Sequence, residues 1–239
     1  MKKLINQPVQ IVREMLDGLA RQSPHTVLLG QENVLINRTQ HESPDRQVAI
    51  ISGGGSGHEP AHGGYVGAGM LSAAVAGEVF TSPPVDTVLA AIRATAGPND
   101  VVLIVKNYTG DRLNFGLAPE IARSEGIPVE VVIGADDVSL RKLTDRAHRR
   151  GIAGTVLVHK ITGAAAARGL ALKEVAQIAR NAATNLGTMG VALDDCTLPG
   201  ADTRASRSPM MKSNSASAYT AKRASNARRP NAPINSRRP

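Results

Sequence analysis

Two stretches of the sequence hold residues that could do chemistry, and each stands directly after an apolar run of strand length. The first is Ser52-Gly53-Gly54-Gly55-Ser56-Gly57-His58-Glu59-Pro60, after Val48 to Ile51; the second is Lys106-Asn107-Tyr108-Thr109-Gly110-Asp111, after Val101 to Val105. In open α/β sheets, ligands sit beyond the carboxyl ends of the strands, where glycines let the backbone approach a small polar ligand and present its N–H groups. The glycine run fits none of the common loops. A P-loop needs Lys where His58 stands, a dinucleotide loop needs a third glycine where Pro60 stands, and a nucleophile elbow needs a glycine at His58. Two readings stay open: a tight strand-to-helix turn with His58 as a cap, or a ligand loop with His58 and Glu59 at its exit. Lys106 closes an apolar strand and is costly to bury alone, so it is expected to point at a carboxylate, a carbonyl oxygen or a phosphate. Asp111 reads as a helix N-cap or, if it faces the same crevice as His58, as a general base for a hydroxyl.

The elements that must hold these residues alternate between apolar strand-length runs and longer amphipathic stretches, the pattern of a layered α/β sheet flanked by helices. A helix is predicted over Val9 to Gln22, with Ile11, Met15, Leu16 and Leu19 on one face, ended by Ser23-Pro24. Strands are predicted at Val34 to Asn37, Val48 to Ser52, Val101 to Lys106, Val129 to Ile133 and Met189 to Leu193, several of them continuously apolar as strands covered on both faces are. Helical spacing marks Pro83 to Ala96, Asn114 to Ser124 and Leu172 to Leu186, and Ala164 to Arg168 is helix-forming.

Composition narrows the class. Hydrophobic content of 42% and charged content of 20% are ordinary for a globular protein, and an aromatic share of 2% leaves the core to Val, Ile, Leu and Ala. One cysteine, Cys196, allows no internal disulfide and no cysteine-based zinc cluster, which points to a reducing, cytoplasmic setting; no run approaches a membrane span and no metal site is expected. The net charge of +8 invites a nucleic-acid reading until it is located. Nine Lys or Arg and one acid lie after Gly200, leaving 19 bases and 19 acids in the first 200 residues. That tail has no Leu, Val, Phe or Glu, cannot bury a core, and is expected to be disordered; with Tyr219 as its one aromatic it makes a poor nucleic-acid platform.

Residues 1 to about 200 resemble the dihydroxyacetone-binding K subunit of dihydroxyacetone kinases. The likeness is carried by Met1-Lys2-Lys3-Leu4-Ile5-Asn6, SGGGSGHEP at 52–60, His62-Gly63-Gly64-Tyr65-Val66-Gly67, Gly77-Glu78-Val79-Phe80-Thr81-Ser82-Pro83, KNYTGD at 106–111, Asn114-Phe115 and Arg149-Arg150-Gly151-Ile152-Ala153-Gly154-Thr155. The resemblance implies a glycerone kinase, a transferase of glycerol metabolism, whose dihydroxyacetone pocket has Gly55, Ser56, Gly57 and His58 on one wall and Lys106 and Asp111 on the other. It implies that His58 and Asp111 position and deprotonate the substrate hydroxyl. It also implies a cytoplasmic homodimer that binds no nucleotide itself. The nucleotide, ADP recharged by a phosphotransferase-system protein or ATP with magnesium, comes on an L-type partner subunit.

The chain departs from that family after about residue 200. The family's K subunit continues into a Gly-Ile-His-Gly-Glu motif whose histidine bonds covalently to the substrate carbonyl, whereas the six histidines here, His25, His41, His58, His62, His148 and His159, lie in no such motif. Read back into codons with an offset frame, Arg204 to Lys222 permits Ser-Phe-Thr-Leu-Ala-Asp-Asp-Glu-Ile-Glu-Phe-Gly-Leu-Gly-Ile-His-Gly-Glu, with Asp-Glu forced by Met210-Met211-Lys212. A frameshift near Asp202 is the reading this supports: residues 1–200 as an incomplete K-type domain with its second domain truncated, and 201–239 as an out-of-frame tail. On that reading the chain as it stands is inactive. A non-catalytic keto-sugar-binding or regulatory module, of the kind that contacts a transcription regulator in this family, is the alternative.

Overall fold

The computed structural model describes residues 4–43, 46–98, 100–139, 145–190 and 198–199. The described residues from Leu4 to Gly190 form one compact unit. The tail expected to be disordered, the domain boundary near 200 and the last three residues of the predicted Met189 to Leu193 strand lie outside the described residues. Met189 and Gly190 are not strand, although Thr188 forms an isolated bridge with Asp137.

Six strands form one mixed sheet: β1 (Thr26–Leu28), β2 (Val34–Asn37), β3 (Ala49–Ser56), β4 (Ala73–Val79), β5 (Val101–Lys106) and β6 (Val129–Gly134), in the order β1-β2-β4-β3-β5-β6. The β1/β2 and β2/β4 pairs are antiparallel, while β3/β4, β3/β5 and β5/β6 are parallel. The helices are α1 (Ile11–Gln22), α2 (Arg38–Glu42), α3 (Val85–Thr95), α4 (Thr109–Ser124), α5 (Gly154–Ala167) and α6 (Leu172–Asn185).

The alternation of side chains along a strand sorts β3 and β5 between two cores. Ala49, Ile51, Val101, Leu103 and Val105 face Val88, Ile92, Phe115, Ala118 and Ala122 of α3 and α4. Ile50, Val102 and Ile104, with Val48 just before β3, face Val158, Ala165, Val175, Ala176 and Ala179 of α5 and α6. Both faces are therefore covered, which is why these strands read as unbroken apolar runs. On α1, Val12 and Leu16 pack on Leu35 of β2 in a third, smaller cluster.

Three expectations are corrected. The glycines expected to form a loop after Ser52 belong largely to β3, which runs to Ser56 in parallel register with β4 and bulges between Gly55 and Ser56. A Cβ on Gly53 would stand 2.2 Å from the Val75 carbonyl oxygen and 2.9 Å from the Phe115 ring, so the strand passes here only without side chains. β4 itself went unpredicted because Ala73-Ala74-Val75-Ala76-Gly77 has weak strand propensity; pairing with β2 on one side and β3 on the other sets its conformation. The helix seen in Ala164 to Arg168 begins ten residues earlier, at Gly154, in a stretch whose Thr155, His159 and Thr162 blur an apolar face. Its start is held by Asp136, which accepts from the Ile152 N–H at 2.9 Å and the Gly154 N–H at 2.8 Å.

Candidate active site

The carboxyl ends of β3 and β5 deliver His58 and Lys106 to one place. Lys106 is buried, and its ammonium lies 2.9 Å from His58 Nε2. His58 Nδ1 is 3.0 Å from the Ala61 carbonyl oxygen, which only accepts, so the proton of the neutral ring sits on Nδ1 and Nε2 accepts from Lys106. Packing of the ring into the crevice and the Lys106 charge both lower the His58 pKa, which favours that neutral tautomer. Lys106 also lies over the Tyr108 ring, 5.5 Å from its centroid. Burial lowers the lysine's pKa against the opposing pull of Asp111 and Asp136.

Asp111 reaches the same crevice from the first turn of α4, where Tyr108 rather than Asp111 is the N-cap. The carboxylate is buried; burial raises its pKa, while the Ser82 hydroxyl and Lys106 pull it down. A carboxylate so raised is a stronger base than one in water, and one placed near a helix N-terminus is electrostatically tolerated. A Cβ built on Gly54 would lie 3.6 Å from Asp111 Oδ2, which puts the glycine strand and the carboxylate face to face. The arrangement offers a base, a cation and a neutral imidazole around exposed strand-end backbone, a combination suited to taking a proton from a small hydroxyl compound while holding its oxygen atoms.

The remaining residues expected at the site play backbone roles. Ser56 is buried and donates its hydroxyl to the Gly77 carbonyl at 2.8 Å, so its side chain braces the β3/β4 bulge. Gly55 is pressed by the segment after β4, where a Cβ would come within 2.6 Å of Thr81 N. Gly57 turns with φ +115 and lies under Phe80, itself held at φ 58, with the Phe80 N–H donating to the Ser56 carbonyl at 2.8 Å. Gly151 packs on Lys106, its missing Cβ 3.0 Å from the lysine Cα, and so sets the height of that strand end.

Residue-by-residue reading passed over His62, Tyr108, Ser82, Asp136 and His159. His62 and His159 are buried, with ring centroids 5.2 Å apart, and His62 stands edge-on to His58 at 5.5 Å. His159 comes from α5, about a hundred residues along the chain, and nothing in spacing could pair it with the glycine strand. Tyr108, by contrast, sat inside the strand-end stretch from the start. Burial pushes its hydroxyl up to about 12. Among the described residues no three His, Cys, Asp or Glu side chains converge as metal ligands do, and no helix is long and apolar enough to cross a membrane.

The Dak1 domain family profile matches residues 17–214. Dihydroxyacetone kinase of Citrobacter freundii is 51% identical over 199 residues, covering 81% of this chain and 35% of that protein. Its crystal structure in complex with AMP-PNP and Mg2+ superposes with a TM-score of 0.77 at 47% identity, over 85% of this chain and 38% of the other. The dihydroxyacetone-binding subunit DhaK of the PTS-dependent dihydroxyacetone kinase 1 of Listeria innocua is 46% identical over 199 residues, 83% of this chain and 60% of the relative. The dihydroxyacetone kinase operon co-activator Dha-DhaQ aligns with a TM-score of 0.66 at 42% identity, over 70% of this chain and 51% of its own. The chain thus spans about a third of the length of the Citrobacter kinase and less than two thirds of the Listeria subunit.

Proposed function

The chain belongs to the Dak1 domain family, and from that premise we propose that it is the dihydroxyacetone-binding part of a glycerone kinase. The observation that carries this reading is the meeting of Lys106, His58 and Asp111 at the ends of β3 and β5, with the Lys106 to His58 contact at 2.9 Å. In the proposed reaction, the strand-end backbone from Gly55 to Gly57, whose Gly57 N–H donates to Glu59 Oε1 at 3.0 Å until the ligand enters, and the Lys106 ammonium hold the oxygens of dihydroxyacetone, His58 orients it, and Asp111 accepts the hydroxyl proton as oxygen attacks phosphorus. The phosphoryl donor, ADP charged by a phosphotransferase-system protein or ATP with magnesium, is assigned to an L-type partner subunit. The glycine segment supports that division. β3 ends at Ser56 and leads into a short 3-10 turn at Gly63–Tyr65 instead of an α-helix, so it lacks the helix N-terminus that cradles phosphates in nucleotide loops. A homodimer in the cytoplasm is the expected setting.

The boundary near residue 200 and the out-of-frame origin of 201–239 belong to the same proposal. Without a histidine to bond the substrate carbonyl, the small, weakly bound ketone lacks a fixed attack geometry, so the chain as it stands is expected to turn over poorly or not at all. A coupled assay with an L-type partner on three proteins tests this: the chain itself, the chain continued in the offset frame after about Asp202 with a relative's downstream sequence, and that second protein carrying Asp111→Asn. Activity is expected in the continued protein alone, with the Asp111→Asn variant lower by about 10²- to 10⁴-fold. Robust turnover by the chain itself would make the covalent histidine dispensable, and equal rates with and without Asp111→Asn would remove Asp111 from the mechanism.

The 42% identity to the operon co-activator favours a second reading, a keto-sugar-sensing regulatory module using the same crevice. Retained dihydroxyacetone affinity without turnover in the continued protein, even with an active L-type subunit present, would select it.

A further inference from the structure

A buried imidazole normally satisfies at least one ring nitrogen, because leaving a polar group unpaired in the interior costs on the order of 1–3 kcal/mol. His62 satisfies neither, although it is buried in the wall of the crevice. Its neighbours explain where it sits but not what it binds. On one side the His58 ring meets it edge-on at 5.5 Å, and on the other the His159 ring backs it at 5.2 Å, tilted by 56°, with His159 also unpartnered. His62 Nε2 faces Gly54, which presents no side chain. A methyl there would lie 3.8 Å from His62 Nε2 and 3.6 Å from Asp111 Oδ2, so the imidazole nitrogen and the carboxylate look onto the same spot above a residue with no side chain.

We propose that His62 is a ligand-binding residue which, with Asp111, holds one hydroxyl of a small polyol or hydroxyketone over Gly54. A hydroxyl has one proton to give and lone pairs to receive. There it donates to the Asp111 carboxylate and accepts from the N–H at His62 Nε2, which leaves a lone pair directed away from both groups. The same contact gives the buried imidazole its missing partner. His159 fills the space behind His62 and prevents it from swinging away from Gly54. Burial, together with the proximity of His159, Lys106 and His58, all basic, keeps His62 neutral and therefore able to donate from one nitrogen without carrying a charge into the crevice. The inference rests on the reading of the crevice as a dihydroxyacetone site, and it adds a residue that reading did not use.

The test is a titration of the full chain, labelled with nitrogen-15 at the histidine rings, with dihydroxyacetone. The ring nitrogens of His58 and His62 are followed separately, and the binding constant is compared with those of His62→Leu and His62→Gln. The His62 Nε2 resonance is expected to move in step with that of His58. His62→Leu should weaken binding about tenfold, the equivalent of one lost hydrogen bond, and His62→Gln, which keeps an N–H, should recover part of that loss. A His62 resonance that stays fixed while His58 responds overturns the inference and leaves the site reading intact. A chain in which neither histidine responds overturns both. Should the variants fail to fold, the resonances of the unaltered chain decide alone.

Discussion

The amino halves of β3 and β5 and their carboxyl halves are built on opposite principles. From Ala49 to Ile51 and from Val101 to Val105, every side chain is apolar, buried, and assigned to one of two cores. A few residues further on, the same strands carry Gly53, Gly54 and Gly55 beside a buried ammonium and a buried carboxylate, with histidines lacking partners close by. The first half gains free energy by removing hydrocarbon from water; the second spends some of it to hold polar groups out of water where a ligand can use them. Two consequences separate the halves: added volume should be ruinous in the glycine half, and lost volume should be ruinous in the apolar half.

The largest effect is expected from Gly77→Ala. The new Cβ would stand 2.0 Å from the Thr81 carbonyl oxygen and 2.7 Å from Pro83 N, both backbone, so the strap from Phe80 to Pro83 would have to move off β4. Chemical denaturation should show a loss of about 4 kcal/mol or more, together with loss of dihydroxyacetone binding. Leu103→Ala, in the fully buried apolar half, should cost about 3 kcal/mol through lost transfer energy and a residual cavity, with ligand affinity retained once the protein is folded. If Gly77→Ala proved milder than Leu103→Ala, β4 and the strap it carries beside the glycine half of β3, where Gly77 is the register partner of Gly55, would be looser than their geometry implies.

Acid should then distinguish the polar half. Burial lowers the His159 pKa from 6.5 to about 3, and lowers that of His62 in the same direction. The unfolded chain therefore binds protons that the folded chain refuses. For His159 this stability is complete above pH 6.5 and is lost as pH falls toward 3, at up to about 1.4 kcal/mol per pH unit, and His62 acts in the same direction. Asp111, whose pKa burial raises, works in the opposite sense, since the folded state takes up its proton more readily and acidification eases its burial. Urea midpoints measured between pH 7 and 4 should thus fall more steeply for the unaltered chain than for His159→Gln; parallel slopes would mean that His159 is not kept neutral by the fold.

The smallest effect carries the opposite sign. Gly18 lies within α1 and a Cβ there would touch nothing within 4 Å, so Gly18→Ala should stabilise the protein by about 0.5–1 kcal/mol through helix propensity. The same chemical change at positions 18 and 77 should therefore raise one thermal midpoint and lower the other.

The apolar half was largely legible in the sequence. β5 is legible as a continuous run of Val, Leu and Ile, β6 as a Val- and Ile-rich segment broken by Glu130, and α3, α4 and α6 as periodic stretches, because burial on two faces and burial on one leave different signatures. β4 was not legible. Its alanines and glycine carry no strand signal, and its conformation comes from neighbours on both sides. In the site, His58, Lys106 and Asp111 could be suspected because each follows a strand end, and the general rule about ligands and strand ends then joins them. The pairing of His62 with His159 could not be suspected, because it depends on α5 folding back across the sheet. Ser56 teaches a related lesson: a serine inside a ligand-like run looked available, yet its hydroxyl is committed to the Gly77 carbonyl.

The most direct test of the crevice as a dihydroxyacetone site is calorimetric titration of the full chain and its Lys106→Met variant with dihydroxyacetone, alongside their thermal midpoints. Replacing the buried ammonium with an apolar chain of similar length also removes the cation that offsets the buried Asp111 carboxylate, so the midpoint should fall while the protein still folds, and affinity should fall by about tenfold or more. Unchanged affinity in a folded Lys106→Met protein would contradict the account, because the cation at the end of β5 would then have no part in holding the ligand.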